Sequence, residues 1–208
     1  MEKLAFIIRV ILFKVILSPF VKIILGIKFR YEEKPSFDKP KIIVANHSSH
    51  VDAIAILCSL SVRDLKKVHP VVARDYFYKN SITKLFAKTC LNSVSVSRDR
   101  QFDNPLHQCE KLIERGHSLI IFPEGTRGNA SEMKEFKKGV SILLKKYPQL
   151  EFVPAFCEGF GQILPKGQWL VLPSNSSLRV GKSKSIDRGL DINDITNYIR
   201  KSILELRL

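Results

Sequence analysis

Short apolar runs and helical patterns alternate along most of the chain. The apolar runs, each typical of a buried strand, lie at 41–46, 69–73, 93–97, 118–123, 151–156 and 168–173, with a shorter one near 178–181. Apolar residues recur at helical spacing over 52–60, 76–89, 103–115, 132–147 and 190–206. This alternation predicts an α/β fold with a central, mostly parallel or mixed sheet flanked by helices.

The first 30 residues have a different pattern, because they are strongly apolar yet contain six basic residues and one acidic residue. Their longest charge-free run, 15–21, is far shorter than the ~20 residues of a spanning helix. Pro19 is expected to divide the segment into two short helices. Basic apolar helices lie in the membrane interface, where long Lys and Arg side chains reach the headgroups. We therefore predict a membrane-interfacial helix pair over 1–30 and a globular domain over 31–208; the alternative is a buried N-terminal helix pair.

The net charge of +14, from 34 basic and 20 acidic residues, predicts anionic partners. Such partners include nucleic acid, anionic lipid headgroups and phosphorylated substrates. A basic nucleic-acid-binding protein would interleave its basic residues with exposed aromatic residues or contain a known reader motif. Neither is found, and the excess charge begins in the apolar N-terminal segment, so the charge favours an anionic membrane surface.

Candidate chemistry begins directly after the run 41–46, where His47 and Asp52 lie five positions apart. In one continuous helix their side chains would point about 140° apart. They can meet only if the backbone bends between them, and Ser48 and Ser49 are helix-capping candidates there. Asp52 would then hold one imidazole nitrogen while the other faces a cleft. His50 is expected on the far side of this turn, and the histidine spacing matches no metal-binding pattern, so no metal site is predicted.

A second signal lies at 118–128, where an apolar strand runs into a loop containing Glu124, Gly125 and Arg127. Together the two stretches resemble the glycerolipid acyltransferase family, which includes bacterial 1-acylglycerol-3-phosphate acyltransferases. The matching motifs, in the family's order, are His47-x4-Asp52, Ser97-Arg98 at the end of the second motif, Phe122-Pro123-Glu124-Gly125-Thr126-Arg127, and Val153-Pro154-Ala155-Phe156.

The resemblance implies an O-acyltransferase that moves a fatty acyl chain from acyl carrier protein or coenzyme A to a lysophospholipid hydroxyl. His47 would act as general base and Asp52 would orient it, with no acyl-enzyme and no cofactor beyond the acyl-CoA or acyl-ACP co-substrate. The most favoured acceptor is 1-acylglycerol 3-phosphate, which gives phosphatidate. Alternatives are a lyso-ornithine-type lipid or glycerol 3-phosphate, because Gly128 stands where the family often has serine. We expect a peripheral or monotopic enzyme on the cytoplasmic face of the cell membrane, with no nucleic-acid partner.

Five residues are predicted to bind substrate: Arg98, Glu124, Gly125, Thr126 and Arg127. An arginine fork suits a phosphate, which gives Arg98 and Arg127 that role. The backbone N–H of Gly125 or Thr126 is a candidate donor to the developing oxyanion. Glu124 is expected to hold the loop or to bond the acceptor's hydroxyls.

Two further cations, Lys137 and Lys138, follow the third motif and are expected to extend a basic rim.

Overall fold

A seven-stranded mixed sheet forms the centre of the computed structural model, which describes residues 2–73, 90–96, 104–128, 133–163 and 175–207. The strands are β1 (Lys28–Tyr31), β2 (Lys41–Ala45), β3 (Val68–Ala73), β4 (Val94–Val96), β5 (Ser118–Ile121), β6 (Glu151–Glu158) and β7 (Ser177–Val180). Their order across the sheet is β1-β7-β6-β2-β5-β3-β4. Strands β6, β2, β5, β3 and β4 are parallel, β7 is antiparallel to β6, and β1 is parallel to β7.

Helices cover both faces of the sheet. They are α1 (Glu2–Val10), α2 (Val51–Ser59), α3 (Val62–Lys67), α4 (His107–Glu114), α5 (Gly139–Lys146), α6 (Phe160–Ile163) and α7 (Ile192–Leu204). Strand β2 lies between two cores: Ile43 and Ala45 pack with α2 and α3, whereas Ile42 and Val44 pack with α4, α5 and α7. A strand buried on both faces has a continuous apolar run rather than an alternating one, as β2 does. The predicted fold class is confirmed.

The N-terminal segment is one helix over Lys3–Ile24, so the predicted helix pair is wrong. Helix α1 continues through two π-helical segments, Ile11–Leu17 and Phe20–Ile24. Pro19 keeps helical dihedral angles, φ −60° and ψ −44°. Around it the hydrogen bonds reach five residues back, from the Ser18 N–H to the Phe13 carbonyl. The widened helix therefore accommodates a residue that has no N–H, and the proline does not end it.

The charges inside this helix are bound by the protein. The Arg9 guanidinium and the Lys14 ammonium donate to backbone carbonyls at the C-terminal ends of α2 and α3, which have no partners within those helices. The accepting carbonyls belong to Cys58 and Leu60 for Lys14, and to Leu65 and Val68 for Arg9. The expectation that these side chains reach lipid headgroups is therefore wrong for Arg9 and Lys14.

The outer side of the same helix is apolar and exposed. Nine large apolar side chains are between 42% and 76% exposed there: Leu4, Ile7, Ile8, Ile11, Val15, Ile16, Phe20, Ile23 and Ile24. By length and composition alone the helix is also long enough to cross a membrane. An apolar surface of this extent on one helix marks an interaction site.

Other features of the sequence analysis differ from the structure or lie outside the described residues. Strand β1 was not predicted, and it places residues 28–30 of the expected N-terminal segment in the sheet. The helix expected over 132–147 begins only at Gly139, because the backbone of 133–138 bonds to the loop after β5 instead. The helix 76–89 and the strand 168–173 lie outside the described residues, and the division of the chain at residue 30 stays a prediction.

The lowered pKa of His69, on β3, should make the unfolding free energy of the protein depend on pH. It is 7% exposed, its Nδ1 donates to the Asn92 carbonyl at 2.9 Å, and its Nε2 lies 2.7 Å from Nδ1 of His117. Burial, with the nearby charges of His117 and Arg9, lowers the pKa of His69 to about 4. Below pH ~6.5 the unfolded chain binds a proton that the folded protein does not, so stability falls as pH drops from there toward 4.

We expect His69 to contribute on the order of 3 kcal/mol of this acid-induced loss, at ~1.36 kcal/mol per pKa unit. His69→Gln should flatten the dependence of the unfolding free energy on pH, measured by urea denaturation between pH 7 and pH 4.5. The exposed His107 provides a control, since His107→Gln should keep the wild-type slope. Equal slopes for both variants would contradict the assignment.

Candidate functional site

His47 and Asp52 meet across the turn that joins β2 to α2. Nδ1 of His47 lies 2.8 Å from Oδ2 of Asp52, whose side chain is fully buried in the first turn of α2. The same oxygen accepts the backbone N–H groups of Ser48 at 2.7 Å and Ser49 at 2.9 Å. The predicted bend and contact are confirmed. Both serines bind Asp52 through their backbone N–H groups, and Ser49 Oγ also accepts the Val51 N–H at 3.3 Å, while His50 is the N-cap residue.

The surroundings of this His47–Asp52 pair set the state of both groups. Burial raises the pKa of Asp52, while the hydrogen bonds from His47, Ser49 and Ser48 favour its carboxylate and oppose that rise. A carboxylate only accepts, so Nδ1 of His47 carries a proton and Nε2 is the remaining basic nitrogen. The Phe122 ring stacks on the His47 imidazole with 4.3 Å between ring centres, and this contact fixes the orientation of the imidazole plane.

Asn46 connects this turn to β6, a role that the sequence analysis missed. Its Nδ2 donates to the Cys157 carbonyl at 3.0 Å, and its Oδ1 accepts the Cys157 N–H at 2.7 Å. The side-chain amide thus continues the hydrogen bonding between β2 and β6 beyond the last paired strand residues. It thereby fixes the backbone just before His47. The sequence signal that could have indicated this role is a polar amide placed directly between a buried strand and the candidate base.

Glu124 joins the two loops of the site. Its Oε1 accepts the His47 N–H at 2.7 Å, and its Oε2 accepts the Lys134 N–H at 3.1 Å. Its side chain is nearly buried, which raises its pKa, and it does not line the cavity described below. Of the two expected roles, the geometry favours holding the loop over bonding the acceptor's hydroxyls.

Gly125 forms the tight turn that follows Glu124. Its φ of +70° is unfavourable for other residues. Its N–H donates to the Phe122 carbonyl at 3.0 Å, so this donor is already engaged. Of the two N–H groups proposed for an oxyanion, that of Thr126 is the remaining candidate, and Thr126 lines the cavity.

An open cavity of about 830 Å³ lies at the carboxyl ends of β2, β5, β3 and β4. This is the usual location of ligand sites in open α/β sheets. Its lining includes apolar residues, together called the apolar wall: Ala53, Ile54, Val71, Leu91, Val96, Leu106, Ile121 and Val140. It also includes polar residues, together called the polar wall: His47, His50, Thr126, Arg127, Lys134 and Lys137.

His50 lies in this cavity and not on the far side of the turn, so that expectation is wrong. Burial, followed by the charges of Arg127 and His47, lowers the pKa of His50 to about 4. His50 is therefore neutral at pH 7. Arg127 lines the same cavity as His50.

The remaining predicted residues divide between the cavity and other places. Arg127 and Lys137 line the cavity, and Lys138 is exposed but does not line it. Arg98 lies outside the described residues. Within the described ranges no group of three or more His, Cys, Asp or Glu side chains is arranged to hold a metal ion.

The site thus places His47, held by the buried Asp52, beside an open cavity with apolar and cationic lining residues. A family model described as Acyltransferase matches residues 26–158, a span that includes His47, Asp52 and the loop after β5. The chain belongs to this acyltransferase family.

Individual relatives agree with this membership. The chain is 29% identical over 176 residues to the chloroplastic 1-acyl-sn-glycerol-3-phosphate acyltransferase LPAT1 of Arabidopsis thaliana, covering 84% of this chain and 47% of that protein. It is 29% identical over 132 residues to a 1-acyl-sn-glycerol-3-phosphate acyltransferase of Helicobacter pylori, covering 59% of this chain and 51% of that one. The chain therefore spans about half the length of these relatives.

A solved structure has the same fold. The crystal structure of the 1-acyl-sn-glycerophosphate (LPA) acyltransferase PlsC from Thermotoga maritima superposes with a TM-score of 0.67 at 22% identity, covering 92% of this chain and 78% of that chain.

Glu124→Gln should destabilise the protein. Glutamine keeps one acceptor oxygen but presents an NH₂ group to the second backbone N–H, so two donors would face each other at a nearly buried position. We expect a loss of about 1–3 kcal/mol in the unfolding free energy. Urea denaturation at pH 7 measures it, with Glu135→Gln at an exposed position as the matched control. Equal stability of the two variants would show that Glu124 does not join the loops.

Proposed function

We propose that this protein transfers a fatty acyl chain from the thioester of acyl carrier protein or coenzyme A to the hydroxyl of a lysophospholipid. The favoured acceptor is 1-acylglycerol 3-phosphate, and the product is then phosphatidate. The main support is the 2.8 Å contact between His47 and the buried Asp52, at a cavity that has both an apolar and a cationic wall. The relatives named for the same acceptor give independent support.

In the proposed reaction Nε2 of His47 takes the proton of the acceptor hydroxyl as its oxygen attacks the thioester carbonyl. Asp52 keeps the proton on Nδ1 and stabilises the imidazolium that forms. The tetrahedral intermediate then expels the thiolate, which receives the proton from Nε2. The bond formed is the ester, the bond broken is the thioester, and the enzyme returns to its starting state without a metal or a protein nucleophile.

The negative charge that develops on the carbonyl oxygen needs a donor that is already in place. The Thr126 N–H is our candidate, because Gly125 uses its own N–H to close the turn. Lys134 supports this turn from outside: its ammonium donates to Thr126 Oγ1 at 3.2 Å and to the Arg127 carbonyl at 2.9 Å.

The two walls of the cavity suit the two ends of a lipid. Apolar side chains from α2, β3, β4 and α5 offer a surface on which acyl chains can be buried. Arg127 lies at the polar wall and is the proposed phosphate ligand, with Arg98 as its predicted companion. A phosphate-free acceptor such as a lyso-ornithine-type lipid would make less use of these cations, and nucleic acid would make no use of the apolar wall.

The N-terminal helix is proposed to hold the enzyme in the membrane interface. Arg9, Phe13 and Val21, which lie along one helix from its first third to near its end, are buried against the domain. A helix packed on its own domain along one side cannot be surrounded by lipid, so it lies in the interface and does not span the bilayer. We place the enzyme on the cytoplasmic face, as a monotopic protein bound to an anionic surface, because its thioester donors are made in the cytoplasm.

Acyl transfer should depend on both members of the His47–Asp52 pair. His47→Ala should lower turnover by about two to four orders of magnitude, the usual contribution of a positioned base. Asp52→Asn should lose a comparable factor, because the amide favours the wrong tautomer and offers no charge. His50→Ala should lose far less, since Asp52 contacts His47. A chelator should leave the wild-type rate unchanged.

The measurement is the initial rate per folded protein on a panel of lysolipids with both thioester donors, with products identified by mass spectrometry. The exposed His107 supplies a control, His107→Ala. A fully active His47→Ala variant, or loss of wild-type activity on chelation, would reject the mechanism.

Membrane binding should depend on the exposed face of the N-terminal helix. Deleting residues 1–30 would also remove part of β1, so we replace surface residues instead. Ile7, Ile11 and Val15 changed together to Ser should release the protein from vesicles, because three side chains of 47% to 66% exposure would lose their contact with lipid. Co-sedimentation with anionic vesicles measures the bound fraction. Ile142→Ser, at an exposed site on α5, should bind like wild type; full binding of the triple variant would contradict the proposal.

A further inference from the structure

Lys137 lies across the turn at Gly125, so that the end of its side chain occupies the space beside the glycine. A β-carbon placed on Gly125 would lie 2.8 Å from Cε and 2.9 Å from Nζ of Lys137, closer than real side chains approach. The missing side chain thus leaves room for the end of the lysine. A close contact of this kind places the ammonium beside the turn that presents Thr126 and Arg127 to the cavity.

The backbone around Lys137 is fixed, although its side chain is exposed. The Lys137 N–H donates to the Pro123 carbonyl at 2.8 Å, which ties the residue to the start of the same turn. The preceding Phe136 is buried in the core, and the helix α5 begins at Gly139. The lysine therefore starts from a defined position and has only its side-chain freedom to lose when it binds a ligand.

Among the described residues, the cationic side chains that line the cavity are Lys134, Arg127 and Lys137, and they have different partners. Lys134 donates to Thr126 and to the Arg127 carbonyl, so its ammonium is engaged in holding the loop. Arg127 has contacts of its own. Within the part of the chain that the structure describes, the Lys137 ammonium makes no hydrogen bond and no ion pair, and it lines the cavity. It is the cation there that a bound anion can engage without breaking an existing contact.

We propose that Lys137 is a direct ligand of the acceptor's phosphate, beside Arg127, and so selects phosphate-bearing acceptors. This inference rests on the proposed function and adds a residue to its acceptor site. A charge-assisted bond from an ammonium to a phosphate adds affinity for this group alone, because the apolar wall binds acyl chains with or without it.

The test compares Lys137→Met with Lys138→Met, its neighbour outside the cavity. Both variants lose one positive charge, so a general attraction of the surface for anions would affect them equally. Assays in neutral detergent micelles use 1-acylglycerol 3-phosphate and a monoacylglycerol with the same chain. Lys137→Met should raise KM for the phosphate acceptor by about tenfold to a hundredfold and leave the monoacylglycerol reaction unchanged. Lys138→Met should resemble wild type, Lys137→Arg should keep most of the affinity, and Arg127→Ala should show the same selectivity as Lys137→Met.

Two results would overturn the inference. One is equal behaviour of Lys137→Met and Lys138→Met on both acceptors. The other is an equal fall in kcat on both acceptors with KM unchanged, which would place Lys137 at the reacting carbonyl instead.

Equilibrium binding of 1-acylglycerol 3-phosphate to each variant, without a thioester donor, separates this inference from the proposed function. Binding by wild type that is weakened in Lys137→Met but not in Lys138→Met supports the phosphate role even if no acyl transfer occurs, and in that case only the proposed function fails. Turnover by wild type with equal binding by both variants rejects the role of Lys137 alone. Wild-type protein that neither binds nor acylates this lipid rejects both.

Discussion

The buried carboxylate of Asp52 is the constraint on which the rest of the site depends. Removing a charge from water is costly unless hydrogen bonds replace its hydration. Oδ2 receives three such bonds, from the Ser48 and Ser49 N–H groups and from Nδ1 of His47. These bonds can form only if the chain turns sharply between β2 and α2. The carboxylate that binds His47 therefore also shapes the loop that contains His47.

Much of the fold could be predicted from sequence because its elements have distinct periodicities. The continuous apolar run of β2 and the helical spacing of α7 each determine one type of element. The contact between His47 and Asp52 was predictable because a five-residue spacing demands a bend. Strand β1 was not, since its four residues are mostly exposed and pair only with the distant β7. The conformation of residues 133–138 was also not predictable. Their apolar and basic spacing fits a helix, but long-range hydrogen bonds to Pro123 and Glu124 hold them outside the helix.

Cationic side chains in an apolar helix can bind lipid headgroups or groups of the protein itself, and only the tertiary structure distinguishes the two cases. The spacing of Arg9 and Lys14 suits a helix whose cations reach lipid headgroups. In the structure both instead satisfy carbonyls at the ends of α2 and α3. The acceptors are more than 40 residues away in sequence, so no local pattern could reveal them. The same long-range contacts determine which side of the helix faces outward, and that side is apolar along most of its length.

Helix α2 connects the two halves of the proposed function. Its first turn contains Asp52, which holds His47 at the cavity. Its last carbonyls are bound by Lys14 of the N-terminal helix, the element proposed to lie in the membrane. The nine residues of α2 give it a length of about 13.5 Å at ~1.5 Å per residue. A short helix fixed at both ends transmits displacement instead of absorbing it, because the protein interior is close-packed. The surface proposed to meet the lipid and the proposed base are therefore held at a fixed separation by one element.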